Sequence, residues 1–520
     1  MRAQAFLTTA LLGALAVPGF GLPFAFTTAV SPAPTWQHFL PLLPIVSIAG
    51  LLQRIATAKV RAAALTGWTW GLGCFLGGVS WLYVSLSQFS GLPAAAAAAA
   101  TLLFVAFLAL YPMLACAAYA TLRDRHGEGL RVALFAALWA LGEWLRGTLF
   151  TGFPWLSLGY AQVPPSPLAG YASSLGVYGV GFISVLVAGT LVQLRDNGKR
   201  RSALVTLVLV LGIGALLRAM VWVSPVGEPI TVRLLQGNVP QAVKWEPEHL
   251  KRSVNSYLGL LNQLARDPAK SSPTAATLTV LPETAIPLLF TQIPEEVIAA
   301  LTRQSDTLLG VAVGTLDGGY ANAAMALPKG TTSPEGIYAK AHLVPFGEYA
   351  PPGFGWFFKL LRIPMSDFTA GAPRQSPLLL AGQQVAPNIC YEDLFGEALL
   401  PALRDATLLI NLSNTAWFGD SLAQPQHLQI ARLRALETGR VMLRATNSGM
   451  TAMILPNGEV AARLAPFTSA VLQVEAQGYR GLTPYAKWGN GLILSICLLT
   501  LGWQLKRRGQ PGSAITATAL

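Results

Sequence analysis

The sequence predicts a multispanning α-helical membrane bundle of about eight transmembrane helices, joined to an extracytoplasmic α/β domain. The first indication is composition, since 53% of the 520 residues are hydrophobic and only 12% are charged, about half the charged fraction of a soluble domain. The second is distribution. Residues 1–225 are almost entirely apolar, residues 226–482 have the mixed composition of a globular domain, and residues 483–520 begin with another apolar run. These ranges are the three predicted parts of the chain.

Eight apolar segments approach the length of about 20 residues that a helix needs to cross a bilayer. The first could instead be a cleaved signal peptide, but it lacks a clear small-x-small site after its apolar core, which favours a retained helix. The predicted segments are Ala5–Pro23, Trp36–Leu52, Ala63–Val84, Ala94–Leu122, Val132–Phe150, Leu168–Leu191, Ala203–Val223 and Gly489–Leu505.

Basic residues in the short connections fall almost entirely on one side of this predicted bundle. They are Arg2, Arg54, Lys59, Arg61, Arg123, Arg125, Arg131, Arg195, Lys199, Arg200, Arg201, Lys506, Arg507 and Arg508. Because cytoplasmic loops carry the excess of lysine and arginine, both termini are predicted to be cytoplasmic and the globular domain to lie on the opposite side. The net charge of +12 therefore indicates helix flanks rather than a nucleic-acid surface.

Two charged residues interrupt the fifth apolar segment. Glu143 and Arg146 are three residues apart, one turn of a helix, so they could neutralise each other. Ionisable residues at membrane depth are also candidates for function. The spacing alone does not decide between these two roles.

After Ile230, short β-type segments alternate with amphipathic helical segments, which predicts a layered α/β domain. The arginine-rich helix among them is predicted to hold an ion-pair network within the domain. The predicted strands are ITVRLLQGNV, TLTVLPE, TLLGVAVGTL, YANAAMALP, GIYAKAHLVP, PLLLAGQQVAPNIC, TLLINLSN and TAMILPNGEV. The predicted helices are EPEHLKRSVNSYLGLLNQLARD, PEEVIAALTRQ and QHLQIARLRALETGRV.

Three residues with complementary chemistry are predicted to fall where strands end: Glu283, Lys340 and Cys390. The other three cysteines fall in apolar segments, so no disulfide is expected within the domain. A thiol at a strand end is either a buried core residue or a nucleophile. A nucleophile needs a proton acceptor and a cation for the developing oxyanion, and Glu283 and Lys340 can supply both.

His342 and His427 offer a competing arrangement in which an imidazole activates Cys390. No Asn or Asp is placed by its spacing to orient either ring, and a structural histidine is the commoner case. Metal and nucleotide chemistry lack support, because the sequence has no HExxH, no CxxC pair and no glycine-rich phosphate loop between a strand and a helix.

The motifs LPETAIP, YAKAHLVPFGE and NICYED, in this order, resemble those of the nitrilase superfamily of carbon–nitrogen hydrolases. With KWEPEH, SNTAWFGD, ARLRALETGR and the multispanning bundle, essentially the whole chain resembles the apolipoprotein N-acyltransferase family. The resemblance implies a nitrilase-like αββα sandwich in the periplasm and a multi-pass bundle in the inner membrane of a bacterium.

The resemblance also implies roles for particular residues. Glu283 would be the general base, Lys340 the cation beside the tetrahedral intermediate, and Cys390 the nucleophile. Read in isolation, the Lys340 and Glu348 pair is equally consistent with a structural ion pair. The supporting or substrate-binding positions would be Glu348, Trp245, Tyr391, Glu392 and Trp417.

The implied reaction is a two-step acyl transfer that uses no cofactor and no metal. Cys390 would take an acyl chain from a membrane phospholipid as a thioester, and the α-amine of an apolipoprotein's diacylglyceryl-cysteine would receive it. Two alternatives remain open from the residues alone. One is a membrane-tethered amidase with water as the acceptor; the other is a transporter with a solute-binding outer domain, which the few ionisable residues at mid-membrane depth disfavour.

An aromatic segment follows Glu348 in the sequence YAPPGFGWFFKLLRIPMSDFTA. In a soluble enzyme such a run would be buried core. In a domain tethered to a bilayer at both ends, we expect Phe354 and residues 356–361 to lie at the membrane interface and to admit acyl chains.

Overall fold

The computed structural model describes residues 3–21, 38–123, 128–244, 247–266, 276–351, 353 and 367–506. Within these ranges the N-terminal half is helical and the C-terminal half is built on two β-sheets. The first nine helices are α1 (Ala3–Ala14), α2 (Leu42–Ile55), α3 (Val60–Val79), α4 (Leu82–Gln88), α5 (Ala94–Leu108), α6 (Leu110–Leu122), α7 (Glu128–Arg146), α8 (Ala172–Gln193) and α9 (Arg200–Ala219).

Glycines allow the first helices to approach each other closely. A Cβ atom on Gly13 of α1 would lie 1.9 Å from the carbonyl oxygen of Trp70, and one on Gly73 of α3 would lie 1.8 Å from that of Ala10. Small residues at such contacts let the backbones of apolar helices pack directly against each other.

Fewer helices than predicted are long and apolar enough to cross a membrane. Among the described residues there are four, or five if the pair α3 and α4, bent by 57°, counts as one span. The prediction of about eight is not met on this criterion, because α2 and the apolar part of the last helix are shorter than 18 residues and charged residues interrupt α7. The four are Ala3–Phe20, Ala94–Leu122, Pro167–Gln193 and Arg200–Ala219.

The C-terminal half contains two six-stranded sheets, with strand orders β12-β1-β2-β3-β4-β5 and β11-β10-β9-β8-β7-β6. Strands β1, β2 and β3 are parallel to one another, as are β7, β8 and β9, and the outer strands are antiparallel. The strands are β1 (Ser224–Gln236), β2 (Thr277–Leu281), β3 (Asp306–Gly314), β4 (Tyr320–Leu327), β5 (Gly336–Ala339), β6 (Leu378–Leu380), β7 (Gln383–Ile389), β8 (Leu408–Ser413), β9 (Val441–Thr446), β10 (Ala452–Ile454), β11 (Val460–Arg463) and β12 (Ala470–Arg480).

The two sheets pack face to face and helices cover their outer faces. Between the sheets, Val232 and Val280 of the first meet Ile410 and Leu443 of the second in one buried cluster. Runs of apolar residues buried on both faces are typical of parallel strands covered on both sides. The remaining helices are α10 (Pro247–Arg266), α11 (Glu295–Thr302), α12 (Gly396–Leu399), α13 (Ala423–Thr438), α14 (Pro484–Trp488) and α15 (Gly491–Lys506).

Two different helix layers complete the sandwich. Helices α10 and α11 cover the first sheet, where Tyr257 and Ile298 pack with Leu309. Helix α13 covers the second sheet, where Leu428 packs with Leu409. The order of layers is therefore helix, sheet, sheet, helix, as the resemblance implied.

Helix α13 was predicted as an amphipathic helix, and in the structure all of its 16 residues are buried. One face covers the second sheet, and the opposite face, with Ile430, Leu433 and Leu436, joins the core of the helical N-terminal half. Gly439, at φ +66°, ends the helix, so Val441 begins β9 instead of continuing the predicted helix.

The arginine network on α13 is not confined to the domain, contrary to the prediction. Arg434 Nη2 lies 3.0 Å from Glu437 Oε1, which also accepts a 2.7 Å hydrogen bond from the backbone N–H of Val177 in α8. Arg432 donates to the carbonyl oxygen of Pro164 at 2.7 Å. These contacts tie the catalytic half of the chain to the helical half.

Glu143 and Arg146 form no ion pair with each other in the structure. Glu143 Oε1 accepts from the indole of Trp139 at 3.0 Å and from the N–H of Leu158 at 2.8 Å. Arg146 donates to the carbonyl of Phe153 at 2.7 Å and to other groups of the same irregular segment. Both side chains therefore hydrogen-bond to the segment after α7. Although they are one helical turn apart, they do not pair with each other.

Candidate active site

The three predicted reactive residues come together at the ends of strands from both sheets. Glu283 lies two residues after β2, Lys340 directly follows β5, and Cys390 directly follows β7. The carboxyl ends of parallel strands lie at one edge of a sheet, so β2 and β7 each present a residue to the same cleft.

Lys340 is the centre of the cluster. Its Nζ lies 2.8 Å from Glu348 Oε1 and 3.4 Å from Glu283 Oε1, and its side chain is 1% exposed. Burial alone would lower the pKa of Lys340, but Glu348 and Glu283 outweigh it, so the net pKa is raised. The ammonium group therefore stays charged at neutral pH.

Glu283 is held by three donors. Its Oε1 accepts from Asn322 Nδ2 at 2.7 Å as well as from Lys340, and its Oε2 accepts from the backbone N–H of Asn414 at 2.8 Å. Glu283 is thus presented as a fixed acceptor.

Cys390 lies at a strained turn between β7 and a short 3₁₀ helix. Its φ is +52°, a left-handed conformation that is uncommon for a residue with a Cβ atom, and its carbonyl accepts from Asn411 Nδ2 at 3.1 Å. Burial raises the pKa of the thiol well above its usual value, Glu283 adds to this and Lys340 opposes it. The resting thiol is therefore protonated and needs an acceptor for its proton.

Glu392 joins the Cys390 turn to the Lys340 strand. One carboxylate oxygen accepts from the N–H groups of Ala341 and His342 at 2.7 and 3.0 Å, and the other accepts from Ile389 at 2.7 Å. Burial raises the pKa of Glu392, and these hydrogen bonds oppose that rise. This side chain fixes the distance between the two loops that carry the thiol and the ammonium.

The remaining predicted site residues lie at the boundary with the helical half. The hydroxyl of Tyr391 donates to the carbonyl of Gly152 at 2.8 Å. The ring of Trp417 contacts Phe89 edge-on, with 5.5 Å between centroids. Trp245, and the aromatic segment with Phe354 and residues 356–361, lie outside the described residues.

The competing histidines have other partners. His427 Nε2 lies 2.7 Å from Asp393 Oδ1, and Arg444 binds the other oxygen of Asp393 at 2.8 Å. His342 stacks on Phe395 with 3.7 Å between centroids, and burial lowers the pKa of its imidazole to about 4. Asp393 is an orienting carboxylate that the sequence spacing had not indicated, but it serves a buried ion-pair cluster.

Sequence reasoning missed several polar residues of the cleft. Asn322, Asn414 and Asn411 lie in or just after predicted strands and carry no motif that distinguishes them from core polar residues. Lys244 is 1% exposed, and its pKa is lowered to about 8 by burial, which Glu283 opposes. Lys244 directly precedes the predicted site residue Trp245, and this position was the feature of the sequence that could have identified it. Among the described residues, no group of three His, Cys, Asp or Glu side chains is arranged to hold a metal ion.

Comparison with known proteins first identifies the class of protein. Residues 231–485 match the family model described as carbon-nitrogen hydrolase, and residues 9–190 match that of the apolipoprotein N-acyltransferase N-terminal domain. Among solved structures, a carbon-nitrogen hydrolase from Helicobacter pylori G27 is 17% identical, with a TM-score of 0.36, over 54% of this chain and 95% of that one. The C-terminal half therefore has the fold of a carbon–nitrogen hydrolase domain, and it follows a helical N-terminal half.

Curated relatives identify the particular family. An apolipoprotein N-acyltransferase of Nitrosomonas europaea is 46% identical, over 90% of this chain and 93% of the relative. Those of Ralstonia nicotianae and Chromobacterium violaceum are each 44% identical, over 96% of this chain and 97% and 95% of the relatives. The chain belongs to the apolipoprotein N-acyltransferase family.

Proposed function

We propose that this chain moves an acyl chain from a membrane phospholipid to the α-amine of the N-terminal diacylglyceryl-cysteine of apolipoproteins. The observation that carries the proposal is the buried cluster in which Lys340 pairs with Glu283 and Glu348 beside the thiol of Cys390. The name shared by the relatives supports the choice of donor and acceptor.

In the first half-reaction, Glu283 takes the proton of the Cys390 thiol while the sulfur attacks the carbonyl carbon of a phospholipid ester. Lys340 stabilises the negative charge that forms on the carbonyl oxygen. The bond from carbon to the glycerol oxygen breaks, and Glu283 gives its proton to that oxygen. The products are a thioester on Cys390 and a lysophospholipid.

In the second half-reaction, the α-amine of the acceptor attacks the thioester carbon and Glu283 takes a proton from the nitrogen. The carbon–sulfur bond breaks, the amide forms, and Glu283 returns the proton to sulfur. The high pKa of the Cys390 thiol requires that the acceptor of its proton be close, which is the role proposed for Glu283.

The surrounding residues have supporting roles in this proposal. Glu348 holds Lys340 together with Glu283, and Glu392 keeps the thiol and the ammonium at a fixed separation. Tyr391 and Trp417 contact the helical half and are proposed, with Trp245, to line the path of the lipid substrates.

We further propose that the bundle crosses the bacterial inner membrane eight times. The bent pair α3 and α4, the two short apolar helices and α7 would then serve as spans in addition to the four that are long enough by themselves. Residues 1–225 would form seven spans, residues 226–482 the periplasmic catalytic domain, and residues 483–520 the eighth span and a cytoplasmic tail. The charge of the connections supports cytoplasmic termini.

The test of the covalent step is intact-mass spectrometry of the purified full-length protein after incubation with vesicles of phosphatidylethanolamine. We expect the mass of one acyl group on Cys390, and no adduct with Cys390→Ala. Matched controls are Cys74→Ser and Cys116→Ser, whose thiols are buried in the helical half and which should form the adduct normally. Full N-acylation of an acceptor lipopeptide by Cys390→Ala would contradict the mechanism.

The choice of acceptor distinguishes this function from a membrane-tethered amidase. When the isolated thioester is mixed with a diacylglyceryl-cysteine peptide, we expect the amide product to form far faster than free fatty acid. A thioester that hydrolyses at the same rate with and without peptide would indicate the hydrolase.

The orientation is tested with single cysteines in a variant that lacks the native ones. Positions in the connections 54–61 and 195–201 should be protected from an impermeant maleimide in intact spheroplasts, and position 88, which is exposed in the structure, should react. Labelling of the 195–201 connection from outside would contradict the proposed topology.

A further inference from the structure

Asn322 lies between the two carboxylates of the site, on the strand β4. Its side chain is 2% exposed. The amide nitrogen Nδ2 is 2.7 Å from Glu283 Oε1 and 3.2 Å from Glu348 Oε1, so one NH₂ group reaches both carboxylates. An amide has two hydrogens to donate, and this geometry uses one for each acid.

The donors around the two carboxylates show what Asn322 adds. Glu283 accepts from Asn322, Lys340 and the N–H of Asn414, which is three of about four lone-pair positions. Glu348 accepts from Asn322, Lys340 and the N–H of Val344. On Glu283 about one position is left for the proton that the reaction moves.

We infer that Asn322 is a positioning residue for the acyl transfer, holding the carboxyl groups of Glu283 and Glu348 at a fixed separation around Lys340. This inference rests on the proposed role of Glu283 as the base. Asn322 does not touch the reacting atoms, and it acts through the two acids.

The chemistry of the amide explains why an asparagine suits this position. It donates to both acids without adding a positive charge. Lys340 is then the cation between the two carboxylates, and no second cation competes with it there. An aspartate of the same shape would have no hydrogen to donate when ionised and would bring a third negative charge to the two carboxylates. The amide orientation follows from this argument, since the reverse assignment would aim an oxygen at two carboxylates.

The experiment measures two properties of the full-length protein against pH. The first is the rate of thioester formation with phosphatidylethanolamine vesicles, and the second is the alkylation of Cys390 by chloroacetamide, located by mass spectrometry. For Asn322→Asp we expect thioester formation at pH 7 to fall about a hundredfold, and the midpoint pH of alkylation to rise by about one unit, because added negative charge disfavours the thiolate.

A second variant keeps the test decisive if the aspartate does not fold. For Asn322→Ala we expect about a tenfold loss of thioester formation at pH 7. This loss should exceed the loss of folded protein, because the variant removes one donor from each of the two carboxylates that hold Lys340. The control is Thr279→Val on β2, a buried hydroxyl that bonds to Ser305 and should move neither measurement.

Two results would overturn the inference. One is a thioester rate that falls only in proportion to the folded fraction, with both pH profiles unmoved, since that is a purely structural role. The other is a wild-type rate and pH profile in Asn322→Ala. If the wild-type protein is alkylated at Cys390 but forms no thioester, the proposed function fails, while the alkylation midpoint of Asn322→Asp still decides the effect of Asn322 on the site.

Discussion

Glu437 should be one of the residues that contribute most to holding the two halves of the chain together. Its Oε1 is 3.0 Å from Arg434 Nη2 and accepts from the N–H of Val177 at 2.7 Å, and both charged side chains are fully buried. Gly176, at φ +65°, breaks α8 just before Val177. The N–H groups that begin a helical segment lack partners in that segment, so Glu437 acts there as a capping acceptor from another part of the chain.

Glu437→Ala would leave the Arg434 charge unpaired in the interior, which costs about 3–5 kcal/mol. The orphaned N–H of Val177 adds about 1–3 kcal/mol. These costs are not additive, and their order of magnitude predicts a fall of about 10 °C or more in the melting temperature. The assay is thermal unfolding of the full-length protein in detergent, followed by tryptophan fluorescence.

Two controls make the Glu437 measurement specific. Glu437→Gln keeps an acceptor for Val177 and should lose less stability than the alanine variant. Glu459→Gln removes a partly exposed pair with Arg218, which should cost less than about 1 kcal/mol. The reasoning is refuted if Glu437→Ala melts no lower than Glu459→Gln.

Three further predictions concern buried groups around the site. The folded state keeps His342 neutral, with a pKa of about 4 against the usual 6.5. The free energy of unfolding should therefore fall as the pH drops from 6.5 towards 4. In thermal melts across this range, His342→Phe should reduce that loss by about 2 kcal/mol. Arg444→Met should cost about 3–5 kcal/mol by leaving Asp393 short of a cation, and adding Asp393→Asn should restore most of the melting temperature. Tyr391→Phe loses the hydrogen bond to Gly152, so the melting temperature should fall by about 2–4 °C; no change would show that water replaces it.

Local patterns predicted the grouping of the reactive residues because strand ends are visible in sequence. Glu283, Lys340 and Cys390 each follow a short β-type run, and the parallel strands bring such positions to one edge. The roles of these three residues remain predictions. Asn322 was not distinguishable, because an asparagine inside a strand has many structural uses and its two partners lie 39 and 26 residues away in sequence.

The errors arose where the partner of an element is distant in sequence. The sequence of α13 predicted an amphipathic helix, yet all 16 of its residues are buried, and the face with Ile430, Leu433 and Leu436 packs against the helical half. Glu143 and Arg146 were spaced for pairing, but the irregular segment after α7 offers N–H and C=O groups that compete for them. Composition does not indicate which backbone groups will lie next to a charge.

The packing of α13 also argues that the two halves of the chain stabilise each other. Ile430, Leu433 and Leu436 belong to the same buried cluster as the bundle side chains. Full burial of one such side chain contributes about 1.5–3 kcal/mol, so three contribute an amount comparable to the total stability of about 5–15 kcal/mol of a typical domain. Since α13 also carries Glu437 and packs on the sheet whose strand β7 directly precedes Cys390, displacing the bundle would disturb the layer that supports the thiol.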